Sequence, residues 1–243
     1  MKKIFFLFSS ILLISCQHYS KETYEFQIDT NIYGNNKIWA HSANDTLVAQ
    51  AKSLEFTGLE VDITYSAYQD KLFIGHELVD SIRGLTLSMW YQSIANRETC
   101  RYWFDIKNLS VDNADSICVI IEKLSATIKD RVFIESQSDE ALLQVKKHGF
   151  MTLFWVNNPY WDGESVEEWT TKIRNKIAIL QPSALSSWYY MYPLLNDSFP
   201  NMPIHYWHTP VEYSSENVAF TQQLCRPKNV AVVLVDYEHP IDY

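Results

Sequence analysis

From Lys37 onward the sequence alternates short β-rich runs with amphipathic stretches, and no other feature limits the fold so strongly. The runs are KIWAHS, LEVDITY, RYWFDIK, RVFIES, MTLFWVN, SALSSW, PIHYWH and VAVVLVDY. Between them, residues 45–56, 113–129, 138–149 and 165–180 carry apolar side chains at helical spacing. Eight strands separated mostly by helices, in roughly 200 residues, predict a closed parallel (β/α)8 barrel at the short end of its size range. An open doubly wound sheet would need a glycine-rich turn after the first run to receive a nucleotide, and AHSAN contains no glycine. KLFIGHE breaks the alternation, because no helix separates it from LEVDITY. It is expected as an excursion of the loop that follows the second barrel strand.

A hydrophobic content of 47%, with 15 Tyr, 12 Phe and 8 Trp, supports one large core, assigned to residues 37–243. The formal net charge is −9, and no run of Lys or Arg is long enough to track a phosphate backbone, which argues against nucleic acid as a partner. Residues 1–16, MKKIFFLFSSILLISC, combine two lysines with an apolar stretch too short to span a bilayer, the layout of a secretory signal. LISC resembles the bacterial lipobox. The expectation is an exported monomer held to a membrane of the cell envelope by a lipid on Cys16, with residues 17–36 as a tether. Electrostatics would not hold this acidic chain on anionic lipid. Cys100, Cys118 and Cys225 fit no zinc spacing and read as buried free thiols, with a Cys100–Cys225 or Cys118–Cys225 disulfide left open.

A barrel of this kind places its chemistry at the C-terminal ends of its strands. Those ends carry His41; Glu60 and Asp62, with His76 just beyond; Asp105 and Lys107; Glu135; Trp207 and His208; and Asp236. Side chains at i and i+2 of a strand share a face, so Glu60 and Asp62 point one way while Leu59, Val61 and Ile63 point the other. Three clustered carboxylates raise one another's pKa values, and a divalent cation removes that cost. Oxygen-only ligation suits Mg²⁺ or Ca²⁺ better than Zn²⁺. Trp155, Trp188 and Trp207 read first as packing, Glu135 and His208 as further pocket candidates, and Asp236 as the end of the last strand.

In order along the chain, AHSAN, EVD, an isolated His and FDIK resemble the signature of the phospholipase C-like phosphodiesterase superfamily. That group includes glycerophosphodiester phosphodiesterases, spider-type sphingomyelinases D and menorin-like proteins, all built on such barrels. The resemblance implies a catalytic pair at His41 and His76. It also implies metal ligands at Glu60, Asp62 and Asp105, and a phosphate-facing Lys107. Asn44, at the His-x-x-Asn spacing, joins Lys107, Glu135 and Trp207 as candidate substrate contacts. Two departures narrow the likeness. Ser42 and Ala43 stand where glycerophosphodiester phosphodiesterases carry Arg-Gly, and the loop after His76 lacks the cysteine pair of the spider enzymes. The implied activity is metal-dependent cleavage of a glycerophosphodiester or (lyso)phospholipid-like substrate. The alternatives are a degenerate barrel that binds without turnover, and a metal-independent lyase with a cationic side chain in the metal's place.

Overall fold

The computed structural model describes residues 27–77, 79, 84–209 and 213–241. The expected signal segment and Cys16 lie outside them. Nine strands form the sheet: β1 (Ile38–Ala40), β2 (Gly58–Ser66), β3 (Lys71–Ile74), β4 (Arg101–Ile106), β5 (Val132–Ser136), β6 (Met151–Trp155), β7 (Ala184–Trp188), β8 (Ile204–Trp207) and β9 (Val230–Val235). All but β3 are parallel, and β1 pairs with both β9 and β2, which closes an eight-stranded barrel. β3 folds back antiparallel on β2, with Ser66 opposite Lys71 and Ile63 opposite Ile74. KLFIGHE is thus an excursion outside the barrel wall.

The helices are α1 (Thr30–Tyr33), α2 (Thr46–Glu55), α3 (Leu87–Ser93), α4 (Ala114–Glu122), α5 (Asp139–Lys147), α6 (Val166–Leu180), α7 (Tyr192–Ser198) and α8 (Ser215–Cys225). Side-chain caps mark several starts: Asp45 accepts from the amides of Leu47 and Val48, and Ser165 with Glu168 forms a capping box. On α4 the buried residues Ala114, Ile117, Cys118 and Ile121 form one stripe against the sheet. α4 is shorter than the pattern over 113–129 suggests. The chain leaves it at Lys123 and re-forms a single tight turn at Ile128–Asp130. Cys100, Cys118 and Cys225 are all buried and free, so neither disulfide forms.

Both faces of the wall are covered, as a parallel barrel requires. Leu59, Val61 and Ile63 pack outward under the helices, while Trp39, Trp103, Phe133, Leu153, Val232 and Leu234 fill the lower interior. Gly58 is a consequence of that filling. A Cβ at this position would lie 2.1 Å from the Trp39 ring, inside any allowed contact. Gly58→Ala is therefore expected to destabilise the fold by about 1–3 kcal/mol, the usual range for forced overpacking. In a Trp39→Leu background the same change should be much milder, a coupling that denaturant titration of the four proteins would measure.

His205 sits in this lower layer, fully buried, with ring centroids 5.0 Å from Phe133 and 5.1 Å from Trp103 and no hydrogen-bond partner on either nitrogen among the described residues. Burial pushes its pKa down to about 3. The unfolded chain, titrating near 6.5, therefore binds a proton that the folded chain refuses between those values. Its contribution to stability is complete above pH 6.5 and is lost as the pH falls toward 3. His205→Leu should flatten the loss of stability over that window. Comparison with wild type isolates the effect, because the carboxylates are common to both proteins.

The segment 17–36 is not all tether. Its last ten residues belong to the fold, because α1 and its flanks cap the N-terminal ends of the strands, here called the floor. The Arg101 guanidinium donates to the carbonyls of Ile32 (2.7 Å) and Asn31 (2.8 Å), and Lys37 Nζ donates to those of Cys225 (2.9 Å) and Pro227 (3.1 Å). Tyr33 is buried, its ring 5.2 Å from Phe133.

Candidate active site

Parallel register sets the acids side by side at the opposite end, the mouth. Asp62 on β2 is the neighbour of Asp105 on β4, and Asp105 is the neighbour of Glu135 on β5. Glu60 lies one inward step deeper than Asp62. One carboxylate oxygen from each of Glu60, Asp62 and Asp105 falls within 4.8 Å of the others.

The turn after β1 holds two of them. Ser42 has φ +53°, the left-handed region, and this aims its amide at Glu60 Oε2 (2.7 Å). Asn44 then donates from Nδ2 to Asp62 Oδ2 (2.7 Å) and accepts the Asp62 amide on Oδ1 (2.9 Å). Trp90 Nε1 donates to the Ala43 carbonyl (2.6 Å) and fixes the turn from outside. Asn44 was expected as a substrate contact; here both ends of its amide are engaged with Asp62, and it does not line the cleft. It positions a carboxylate.

The crowding has an electrostatic signature. Burial, with Asp62 and Asp105 adding to it against the opposing effect of His41, raises Glu60 to about 8. Burial also raises Asp105 despite Lys107, and lifts Glu135 well above the usual carboxylate range. Glu135 accepts from Trp103 Nε1 (3.0 Å) and from the Ser186 hydroxyl, at the bottom of the cleft. Lys107 Nζ spans Asp62 Oδ1 (2.7 Å) and Asp105 Oδ2 (2.5 Å), and these partners outweigh burial and raise its pKa. The Lys107 ammonium thus bridges two of these acids. The donor set is hard and oxygen-only, and it fits a divalent cation such as Mg²⁺ or Ca²⁺.

His41 follows β1 and is oriented by a residue that sequence reasoning set aside. Its Nδ1 lies 2.8 Å from Asp236 Oδ1, and its Nε2 is 3.7 Å from Glu60 Oε2. A carboxylate only accepts, so Nδ1 carries a proton and Nε2 is the atom free to exchange one. Burial opposes the imidazolium, but the Asp236 bond and the charges of Glu60, Asp236 and Asp62 prevail and raise its pKa. Asp236 is therefore part of the site rather than a mere strand end. His76, on the loop after β3, is exposed, lines the cleft, bonds Glu77 (3.0 Å) and acts electrostatically on Asp105. His208 does not join them. It is buried against Tyr189 (5.0 Å) and Phe220 (5.1 Å), outside the cleft lining.

The cleft encloses about 810 Å³. Acids and histidines line one side, and Trp155, Trp188 and Trp207 form the other. Trp155 stacks on Trp207 (6.2 Å, 28°), and Trp188 meets Trp207 nearly at right angles (5.5 Å, 82°). The three rings are a wall of the site as well as packing. Among the described residues that line the cleft, Lys107 is the only Lys or Arg, and Ser136, Gln137 and Ser138 add neutral hydrogen-bonding groups.

No family model and no curated protein matches the sequence. Solved structures do match the fold. A glycerophosphodiester phosphodiesterase from Parabacteroides distasonis superposes with a TM-score of 0.60 at 13% identity, over 83% of this chain and 93% of that one. A phosphodiesterase from Oleispira antarctica, solved with its product sn-glycerol-3-phosphate, gives 0.59 at 11% identity over 83% and 93%. A calcium-dependent phosphoinositol-specific phospholipase C from Pseudomonas sp. gives 0.53 at 10% identity over 87% and 93%. The likeness at such identities is one of fold: this chain has the barrel of the glycerophosphodiester phosphodiesterases and of that phospholipase C.

Proposed function

We propose that this protein is a metal-dependent phosphodiesterase acting on a glycerophosphodiester or a (lyso)phospholipid-like diester. One observation carries the assignment: a single mouth gathers the His41–Asp236 pair, His76, three carboxylates in mutual ligating reach, and Lys107. Glu60, Asp62 and Asp105 would hold one Mg²⁺ or Ca²⁺, which when bound supplies positive charge to a non-bridging phosphate oxygen. Lys107 contributes a second positive charge from the end of β4, where negative charge grows on the phosphorus oxygens. His41 Nε2, with Nδ1 secured by Asp236, takes the proton of the nucleophile, which is water or a neighbouring hydroxyl of the substrate. His76 returns a proton to the departing alkoxide. The tryptophan wall shields the diester from water on the far side. The product held by the Oleispira enzyme supports a glycerol-phosphate diester as the substrate class.

A second reading has a specific observation behind it. Lys107 already bridges Asp62 and Asp105, and no arginine lines the cleft among the described residues, an arrangement suited to a barrel that binds without turnover. A metal-replete screen of glycerophosphodiesters and lysophospholipids separates the two. Turnover of any member supports the enzyme, whereas binding of every member without turnover supports the second reading.

A lipid on Cys16 and residence in a bacterial cell envelope complete the proposal, with the barrel monomeric. Cys16→Ser should move the protein from the membrane fraction to the soluble one without changing turnover of a soluble diester. A free, unmodified wild-type chain would contradict the anchor.

A further inference from the structure

We infer that the barrel hangs from its membrane by the floor, with the cleft opening away from the anchoring bilayer, so that its substrate is a water-soluble diester rather than a lipid of that bilayer. The inference rests on the proposed lipid at Cys16. Its structural basis is the docking of α1. Chain entering the fold at Gln27 and Ile28 runs directly into contacts with residues at, or just before, the N-terminal ends of strands. Arg101, the first residue of β4, clamps the α1 carbonyls. Tyr33 Oη donates to the carbonyl of Ser183, just before β7 (3.3 Å), and Thr57 Oγ1, just before β2, donates to the Asn36 carbonyl (3.1 Å). Lys37 reaches the carbonyls that precede β9. These bonds tie the entry point to four separate positions around the floor. The catalytic groups stand at the other end of the same strands.

Length decides whether the tether can undo this geometry. Residues 17–26 between the lipid-bearing cysteine and the fold span at most about 35 Å fully extended, at up to ~3.6 Å per residue. β2 has nine residues, so it runs about 30 Å, or roughly 24 Å along the barrel axis at the usual tilt. The β2–β3 turn, whose tip Tyr68 is 97% exposed, extends the mouth beyond the end of β2. To bring the mouth to the surface, the tether would have to be drawn nearly taut along the outside of the helical layer.

The exposed rings at the rim are the counter-argument, since Tyr160 and Trp161 could enter an interface. However, Trp161 packs on Tyr190 (6.1 Å), and Tyr190 stacks on Trp188 (6.1 Å, 13°), which lines the cleft. Trp161 is thereby packed through Tyr190 onto the wall of the site, a role that needs no bilayer.

Orientation can be read without turnover. The native cysteines of the fold are buried, so a single added cysteine takes a fluorophore selectively. Asn35→Cys marks the floor and Tyr68→Cys the mouth. Each lipid-modified protein is placed on the outside of phosphatidylethanolamine/phosphatidylglycerol vesicles containing an acceptor-labelled lipid. Energy transfer should be strong from position 35 and weak from position 68, and Cys16→Ser should abolish it at both. Equal or stronger transfer from position 68 would overturn the orientation. Weak transfer from both positions, in protein that does not sediment with vesicles, would remove the anchor itself and with it the inference, while leaving the phosphodiesterase assignment intact. In the activity arm, anchored and Cys16→Ser proteins should turn over a soluble glycerophosphodiester equally. Hydrolysis of the vesicle's own lipids more than tenfold faster by the anchored form would also overturn it.

Discussion

Chelation of divalent cations should abolish diester turnover, and Mg²⁺ or Ca²⁺ should restore it. The expectation follows from charge rather than from resemblance alone. Glu60, Asp62 and Asp105 converge on one point, where burial and the neighbouring carboxylates raise Glu60 to about 8 and raise Asp105 even though Lys107 bridges Asp62 and Asp105. A divalent cation held by these three residues would oppose both effects and favour the ionised form of Glu60. Metal affinity should therefore rise with pH until that value is passed. A cation that binds the folded chain alone, at a hundred times its dissociation constant, stabilises it by about 2.7 kcal/mol. For a domain of this size that is a rise in Tm of roughly 5–10 °C. Asp62→Asn and Asp105→Asn should each lose both the thermal shift and the turnover. Lys107→Ala should behave differently, keeping the shift while losing activity, because the lysine competes for two of the acids but does not ligate the ion. Full activity in excess chelator, or the same thermal shift in Asp105→Asn as in wild type, would remove the metal from the mechanism.

The parts of this site that were legible from sequence are those that depend on strand parity. Glu60 and Asp62 share a face because they are two apart, and Asp105 and Lys107 share one for the same reason. Parity also accounts for the placement of His208. Trp207 points into the barrel, so its neighbour His208 must point out, and it packs against Tyr189 and Phe220. In β9 every residue is apolar, so no alternation marks which face is inward, and the residue pattern alone reads Asp236 as an ordinary strand end, whereas its bond to His41 makes it part of the site. Counting back by twos through Leu234 and Val232, both interior, would have placed it. Asn44 was found by spacing, but its role depends on the left-handed turn at Ser42, which no pattern of residue types reveals. α1 was hidden for a similar reason: its docking uses backbone carbonyls as acceptors, and four residues are too few to show a helical period. α3 and α7 are short for the same test, and the apolar face of α8 is interrupted by polar residues.

The two histidines should part company on an activated substrate. A general acid matters in proportion to how poorly the leaving group departs: an alkoxide needs a proton as the P–O bond breaks, whereas a nitrophenolate leaves without one. A general base keeps its value on both, since the nucleophile is unchanged. On an alkyl diester, His41→Ala and His76→Ala should each lose roughly 10²–10⁴-fold in turnover. On a nitrophenyl phosphodiester, His76→Ala should recover most of the loss and His41→Ala should not. The assignment follows from how each ring is held. His41 is fixed by Asp236 with Nε2 as its exchangeable atom, 3.7 Å from Glu60, beside the acids that would carry the metal and its ligands. His76 sits exposed on the loop after β3, where it can lie over a departing group. Asp236→Asn adds a control, because an amide can donate to Nδ1 and so favours the tautomer protonated at Nε2, which cannot act as base. Its defect should follow His41→Ala on both substrates. Rescue of His41→Ala in place of His76→Ala would exchange the two roles and keep the mechanism. Near-wild-type rates for both alanine variants on the alkyl diester would make the histidines structural, and acid–base catalysis at this mouth would have to be abandoned.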